Sequence, residues 1–487
     1  MNNVTGVPTN VELATTTEAP TTPKVVTTRW LSGWRAFVVL YVVFTACFLA
    51  SAGTRLRHSS PYNHFAYLAH SWLHGHLELV LNPPNENDWA KVDVVTLRDG
   101  RVLKGMFGSR GNPDRFVPLK GPSVTIMPDE VASRSYIRYV SFPPFPALLM
   151  LPVVAITGVG ANDVIFTALW AGLNPALLFF LLGTLRRRGH SKRTPVQDLW
   201  LTVAFGFGSV YFYSSVIGQV WYTAHIVATT LVIGYVWSSL DLRQPYLAGL
   251  CLGLGFATRT PLGFAFVFFV WEAVRAYGGW GGLWRQKRIP LGLVKVCAKA
   301  ALPALIVVGL LLLHNYLRFE KLSEFGHKYL NITWQDRIQR WGLFNYHFVS
   351  RNLATALVLL PRILAKAPFV QVSQHGMSLL ITSPFLWLLL RPRRSSPLGP
   401  GLWLTVLAVA LPSLLYQNSG FVQFGYRFSL DYMVLLIMLL AVGNARLSAA
   451  WKALVIFAVG VNLFGAVTFD RSPQFSYSDT YFPHGEN

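Results

Sequence analysis

The chain has 487 residues, 53% of them hydrophobic and 13% charged, with a net charge of +21. That charged fraction is about half of what a soluble domain carries, and the apolar residues gather in runs of about 20, the length that crosses a bilayer core, so a soluble body is excluded. Lysines and arginines sit in short loops between the runs and form no stripe; membrane topology accounts for them, and nucleic acid is not an expected partner.

In chain order, residues 1–33 are rich in Thr, Pro and Val, lack apolar periodicity, and read as a disordered cytoplasmic tail. The first run, 34–53, ends Leu49-Ala50-Ser51-Ala52-Gly53, which resembles a cleavage site, but its length favours a retained anchor. A polar excursion of more than a hundred residues follows. Hydropathy then predicts ten further spans, at 164–185, 199–218, 221–240, 246–258, 262–277, 296–315, 377–390, 402–416, 430–442 and 453–468, for eleven in all. The apolar stretch 142–160, with Pro143, Pro144, Pro146 and Pro152, is read as interfacial or re-entrant. With that choice every short basic loop falls on the cytoplasmic side, the amino terminus included. The excursion 55–162, the loop 316–374 and the tail 471–487 then lie outside, together with Gln219–His225, Arg259 and the 420–431 stretch. The fold class expected is an all-α, multi-pass bundle in a bacterial inner membrane. Cys47, Cys251 and Cys297 fall within or beside apolar runs, so no outer loop can hold an internal disulfide.

Within the excursion, Phe65, Leu68, Ala69, Trp72 and Leu73 recur at helical spacing, predicting a short amphipathic helix on the membrane surface. His64, His70, His74 and His76 surround it. His70 and His74 share a face, yet no acidic partner completes a metal motif, and interfacial decoration is the better account. Val94 to Val124 alternates around the Asp99-Gly100 and Gly111-Asn112-Pro113-Asp114 turns, as a small hairpin insert would. Asp88 and Asp93 are the carboxylates nearest the membrane surface and the candidates for a base or a metal ligand. Among polar residues at span ends, Arg259 and Arg427 are candidate phosphate ligands, since guanidinium makes paired hydrogen bonds to phosphate oxygens; snorkelling to headgroups is the alternative for Arg259. Arg427 and Asp431, four apart, are either an internal ion pair or an anion ligand with its orienting carboxylate. His225, one turn into its span, faces either a cavity or the aromatic belt of Trp221 and Tyr222. Asn331-Ile332-Thr333 matches a glycosylation acceptor triplet.

These features together resemble the GT-C superfamily of polyprenyl-phosphate-dependent glycosyltransferases, which includes protein O-mannosyltransferases and lipid A aminoarabinose transferases. Four elements carry the likeness, in order. They are the first-loop helix Tyr67-Leu68-Ala69-His70-Ser71-Trp72-Leu73-His74-Gly75, the element Phe142-Pro143-Pro144-Phe145, the short span ending Phe256-Ala257-Thr258-Arg259, and the late Phe424-Gly425-Tyr426-Arg427-Phe428. Residues 34–470 are covered in architecture. The resemblance implies transfer of a sugar from a polyprenyl-phosphate donor to an extracytoplasmic lipid, glycan or protein acceptor, without a nucleotide site and with a divalent metal as an open possibility. It also implies an acidic residue at the start of the first-loop helix, where this chain has Tyr62, Asn63 and His64; the base then becomes Asp88, Asp93 or His64. Where a lysine commonly precedes the Pro-Pro element stands Phe142, which moves the phosphate contact to Arg138, Arg259 or Arg427. Asn63, Tyr67, Tyr139, His225, Tyr426 and Asp431 complete the expected substrate-binding set. A transporter or flippase for lipid-linked sugars and a noncatalytic partner of this architecture are the other readings; the absence of internal repeats and the clustering of charges at one face favour a surface enzyme.

Overall fold

The computed structural model describes residues 33–478 except 109–113, 287, 331, 333–334 and 392–395. The expected amino-terminal tail, the end of the carboxyl-terminal tail and the Asn331 triplet lie outside the described residues. Eleven helices lead the way: α1 (Gly33–Ala52), α2 (His64–Leu73), α3 (Phe145–Thr157), α4 (Asp163–Arg187), α5 (Pro195–Gly206), α6 (Tyr211–Ser215), α7 (Gln219–Ser239), α8 (Pro245–Phe256), α9 (Phe266–Ala276), α10 (Gly279–Gln286) and α11 (Leu291–Phe319). After them come α12 (Gln335–Trp341), α13 (Val349–Leu357), α14 (Leu379–Thr382), α15 (Gly399–Leu415), α16 (Leu430–Val442) and α17 (Ala449–Thr468). Local chemistry sets several starts: the Asn162 side chain accepts from the amides of Val164 and Ile165, and Thr194 and Gln197 form a reciprocal capping box.

This is a mostly helical integral membrane protein. Among the described residues, five helices are long and apolar enough to cross a bilayer, six if the pair from Thr260 to Arg285, bent by 60°, is one broken span. The eleven runs predicted from hydropathy are otherwise met by shorter pieces. The expected 377–390 span breaks at Ser383-Pro384 into α14 and a 3₁₀ segment, Pro384–Leu390, since proline cannot donate to the preceding turn. All thirteen residues of α16 are buried, making it the central helix, whereas α11 has 6% of its most apolar window buried and turns its leucines outward. Helices α8 and α11 pack at Gly249 and Gly253 against Ala300 and Ala304, where a Cβ on either glycine would meet the facing helix; small residues permit such approach in membrane bundles.

The all-α expectation is corrected by the long excursion. Between α2 and α3 it folds into an antiparallel sheet of β1 (Trp89–Leu97), β2 (Val102–Phe107), β3 (Arg115–Pro118), β4 (Val124–Thr125) and β5 (Val131–Val140), ordered β4-β3-β2-β1-β5. The expected hairpin is therefore only part of a larger unit, because β5 returns to pair with β1 along its whole length, from Trp89 opposite Val140 to Leu97 opposite Val131. A smaller sheet joins β6 (Arg362–Ile363), β7 (Val370–Ser373) and β8 (Ser476–Tyr477).

Polar contacts sort the helix ends into two groups. At one end, the Arg55 guanidinium donates to the Phe469 carbonyl at 2.8 Å and Arg471 donates to the Ser51 carbonyl at 2.9 Å, so α1 and α17 cap one another. Asp163 accepts there from the amides of Ser60 at 2.7 Å and Gln219 at 2.9 Å. Helix α3 both starts and finishes at this end: the Phe145 amide donates to Ala257 at 3.0 Å, and Asn63 reaches the Ala161 carbonyl at 2.6 Å. The opposite end collects basic loops, with Arg188 on Asp241 at 3.2 Å, Arg275 on Asp241 at 2.8 Å and on Glu272 at 2.7 Å, and Arg193 on the Leu440 carbonyl at 2.7 Å.

Candidate active site

At the first of these ends, the segments that enter and leave the sheet at Asn87-Asp88 and Phe142-Pro143, α7, the α8–α9 turn, the chain before α12 and the stretch around 416–428 enclose a cavity of about 680 Å³. Asp88 forms part of its rim. It stands at φ 61°, a left-handed conformation, as the chain turns into β1, and its carboxylate accepts from the Trp221 indole at 3.1 Å. Burial pushes the Asp88 carboxyl up to about 6, against the opposing effects of the Arg427 charge and the Trp221 hydrogen bond. A carboxyl tuned toward neutrality can exchange a proton with a substrate hydroxyl.

Arg427 lies deeper, 5% exposed, where Gly425, at φ 68°, delivers the chain into a 3₁₀ turn. Its guanidinium donates to the Val422 carbonyl at 3.3 Å and lies over the rings of Tyr222, Phe428 and Trp221 at 5.2, 5.5 and 5.8 Å. Among the described residues no carboxylate comes within 4.0 Å of it, and its buried Nε has no hydrogen-bond partner. Such a cation favours an anionic ligand, because an uncompensated buried charge is costly.

Arg259 lines the same cavity but is already paired. Its Nε and one terminal nitrogen donate to both oxygens of Asp431 at 2.7 Å each, and His225 Nδ1 lies 3.2 Å from the same carboxylate. The pairing of Arg427 with Asp431 expected from their spacing is thus corrected: Asp431 turns toward the α8–α9 turn and α7, where a bidentate partner is available, and Arg427 is left for the cavity.

The structure brings Asp88, Arg259 and Arg427 to one cavity wall, with His225 and Asp431 directly behind. The other sequence-stated residues stand elsewhere. His64 is fully buried, stacked on Trp89 at 3.7 Å with Nδ1 donating to the Tyr62 carbonyl at 3.0 Å; burial pulls its imidazole down to about 4, so it is neutral near pH 7. It packs on Trp89, the chain neighbour of Asp88, behind the cavity lining. Tyr67 packs on Trp89 at 5.5 Å, Asn63 bonds the Ala161 carbonyl, and Tyr139 packs on Phe319 at 5.2 Å. Asp93 is held by Arg134 at 2.9 Å across the strands, and Arg138, its side chain 10% exposed, by Glu86 at 2.5 Å and Asn82 at 3.0 Å. Tyr426 is buried against Phe428. None of these seven lines the cavity.

Residues the sequence reading did not assign to a site complete the wall: Tyr62, Gln219, Trp221, Tyr222, His327, Tyr416 and Asp470, with Phe142, Leu330, Leu343, Phe344 and Pro412 on the apolar side. Asp470 follows the last apolar run directly and was detectable by the rule that singled out Arg259; Trp221 and Tyr222 carried only an aromatic-belt signal. Among the described residues no group of three or more His, Cys, Asp or Glu side chains is placed to hold a metal ion. His70 and His74 meet at the surface, with rings 4.3 Å apart.

No protein-family profile matches this chain, and no curated protein does. Among solved structures it is similar to the crystal structure of ArnT from Cupriavidus metallidurans bound to undecaprenyl phosphate, at 13% identity and a TM-score of 0.39. The match covers 88% of this chain and 60% of that one, so the chain spans less than two thirds of that protein's length. The chemistry of the cavity is therefore read from its own residues.

Proposed function

We propose that the protein is an integral membrane glycosyltransferase of GT-C-like architecture. It moves a sugar from a polyprenyl-phosphate donor to an acceptor hydroxyl on a lipid, glycan or protein at the extracytoplasmic face of a bacterial inner membrane. The observation that carries the reading is Arg427: a buried guanidinium with no carboxylate within 4.0 Å among the described residues, in a cavity whose rim holds Asp88 with its raised pKa. The basic loops at the opposite end of the bundle suit the cytoplasmic side, which supports an outward-facing cavity. Its apolar wall of Leu330, Leu343, Phe344 and Pro412 suits a lipid chain beside the headgroup.

In this reading Arg427 grips the donor phosphate and Arg259, held rigid by Asp431, adds positive potential next to it. Asp88 accepts the proton of the acceptor hydroxyl as its oxygen bonds to the anomeric carbon. The bond from that carbon to the phosphate oxygen breaks, its electron pair stays with the polyprenyl phosphate, and Arg427 stabilises the charge that develops there. A single displacement of this kind inverts the anomeric centre. No nucleotide enters, and no step requires a metal.

The test is sugar transfer in proteoliposomes containing polyprenyl-phosphate sugars. Asp88→Asn is expected to lower transfer by about 10²–10⁴-fold while leaving donor binding intact. Arg427→Ala is expected to lose donor binding. Full transfer by both variants would remove the proposal, and lipid translocation without transfer would replace it with the transport reading.

A further inference from the structure

Seven non-glycine residues among those described hold a positive φ, and three of them, Asp88, Gln219 and Asp470, line this one cavity. Side chains other than Asn and Asp rarely adopt that conformation, and where it persists the surrounding structure enforces it; such positions concentrate at ligand sites. Asp88 has its role in the proposed reaction. The pair Gln219 and Asp470 has none.

Both are clamped from either side. Asp470, at φ 60°, lies between two residues tied to the end of α1: the Phe469 carbonyl accepts from Arg55 at 2.8 Å, and the Arg471 side chain donates to Ser51 at 2.9 Å. Phe469 is itself buried, its ring 5.6 Å from Tyr213. Gln219, at φ 62°, has its amide fixed on Asp163 at 2.9 Å. Its side-chain amide donates a hydrogen bond to the Asp470 carboxylate. The result is a rigid carboxylate and carboxamide side by side on the cavity wall, with the aromatic residues Tyr213 and Tyr222 beside them.

The charge balance chooses the ligand. Arg55 places a positive charge near Asp470, and two of its five N–H groups donate to the carbonyls of Ala466 and Phe469. The Asp470 carboxylate accepts from Gln219 and keeps its other lone pairs for hydroxyl donors, while the positive charge of Arg55 beside it disfavours an ammonium group. We propose that Asp470 and Gln219 form the subsite that recognises the hydroxyls of the transferred sugar, and that this sugar is neutral. The proposal rests on the donor reading of the cavity given above and extends it to the sugar.

Full-length protein in nanodiscs is titrated with bare polyprenyl phosphate and with the same lipid carrying mannose, glucose, galactose, arabinose or an amino sugar. For the neutral sugar that wild type binds best, Asp470→Asn and Gln219→Gly should each weaken binding about tenfold or more. Binding of bare lipid should stay within about twofold. Asparagine tolerates a left-handed backbone and glycine prefers it, so a merely structural role for either residue leaves sugar-dependent binding unchanged, with the melting temperature kept or raised. The subsite is overturned by equal losses for bare and sugar-bearing lipids, by no loss for either, by a loss confined to the amino sugar, or by a wild type that binds no sugar-bearing lipid better than the bare one. Arg427→Ala should weaken bare and sugar-bearing lipids alike, so its result reports on the phosphate separately. If wild type binds none of these lipids, the donor reading fails and the subsite fails with it.

Discussion

Removing either partner of the Arg259–Asp431 pair should destabilise the protein by different amounts, because the two charges are buried to different depths. Asp431 has no exposed side-chain surface, and both its oxygens are taken by Arg259 at 2.7 Å. Arg259 keeps 16% of its side chain exposed, on the cavity wall. Arg259→Met strands a carboxylate with His225 as its one remaining neighbour from the trio, and a buried charge that loses its partner costs about 3–5 kcal/mol. Asp431→Asn leaves a guanidinium that cavity water can reach, at about 1–3 kcal/mol, the range for an unsatisfied polar group. The double variant removes both charges, so it should cost less than the sum of the two, with a coupling of about 2 kcal/mol or more. The measurement is reversible unfolding in mixed micelles of sodium dodecyl sulfate and dodecyl maltoside, read by circular dichroism for all four proteins. Additive losses, or an Arg259→Met variant no less stable than Asp431→Asn, would refute the assignment of the pair and its depth order.

The pH dependence of transfer should follow Asp88, whose carboxyl is raised to about 6 by burial. The base form is the ionised one, so the rate should climb through about pH 6 and level off above it; the acid limb should vanish in the residual rate of Asp88→Asn, and a limb that persists there would assign it to another group. Arg427→Lys keeps the charge but loses the planar fork, and donor affinity should fall about tenfold or more in a titration with lipid phosphate. Arg138→Ala removes the pair with Glu86, a hydrogen bond to Asn82 and the stacking on Tyr136 of a side chain only 10% exposed, and should cost about 1–3 kcal/mol of stability with transfer unchanged. Gly249→Val should lower the melting temperature of the purified protein sharply, because the new side chain meets the Ala300 carbonyl where α8 and α11 touch; an unchanged melting curve would show that this contact gives way.

Much of the site was legible residue by residue. Asp88, Arg259 and Arg427 each broke a local rule, as a loop carboxylate beside a membrane or a charge at the end of an apolar run, and such residues are expensive unless a cavity uses them. Their partnerships were not legible. A spacing of four placed Asp431 with Arg427, but the geometry that satisfies both carboxylate oxygens came from Arg259, 172 positions away in sequence. His64 and Asp93 carry the right chemistry, yet packing took the first under Trp89 and strand pairing gave the second to Arg134.

The sequence by itself determined that this is a helical membrane protein with one large early excursion, because the length and apolarity of a run are local properties and bilayer thickness imposes a local requirement. Tertiary structure alone decided which runs face outward and which lie at the centre: α11 and α16 both carry long apolar runs, and only their neighbours make one peripheral and the other buried. It likewise decided the sheet, since β1 meets β5 across an insertion whose alternation showed only a small hairpin, and it decided the cavity, where Asp88, Gln219, Arg427 and Asp470 converge from four separate segments. The physical reason is common to all three. Composition and periodicity record the surroundings a segment needs, whereas a site is made by which segments supply those surroundings to one another.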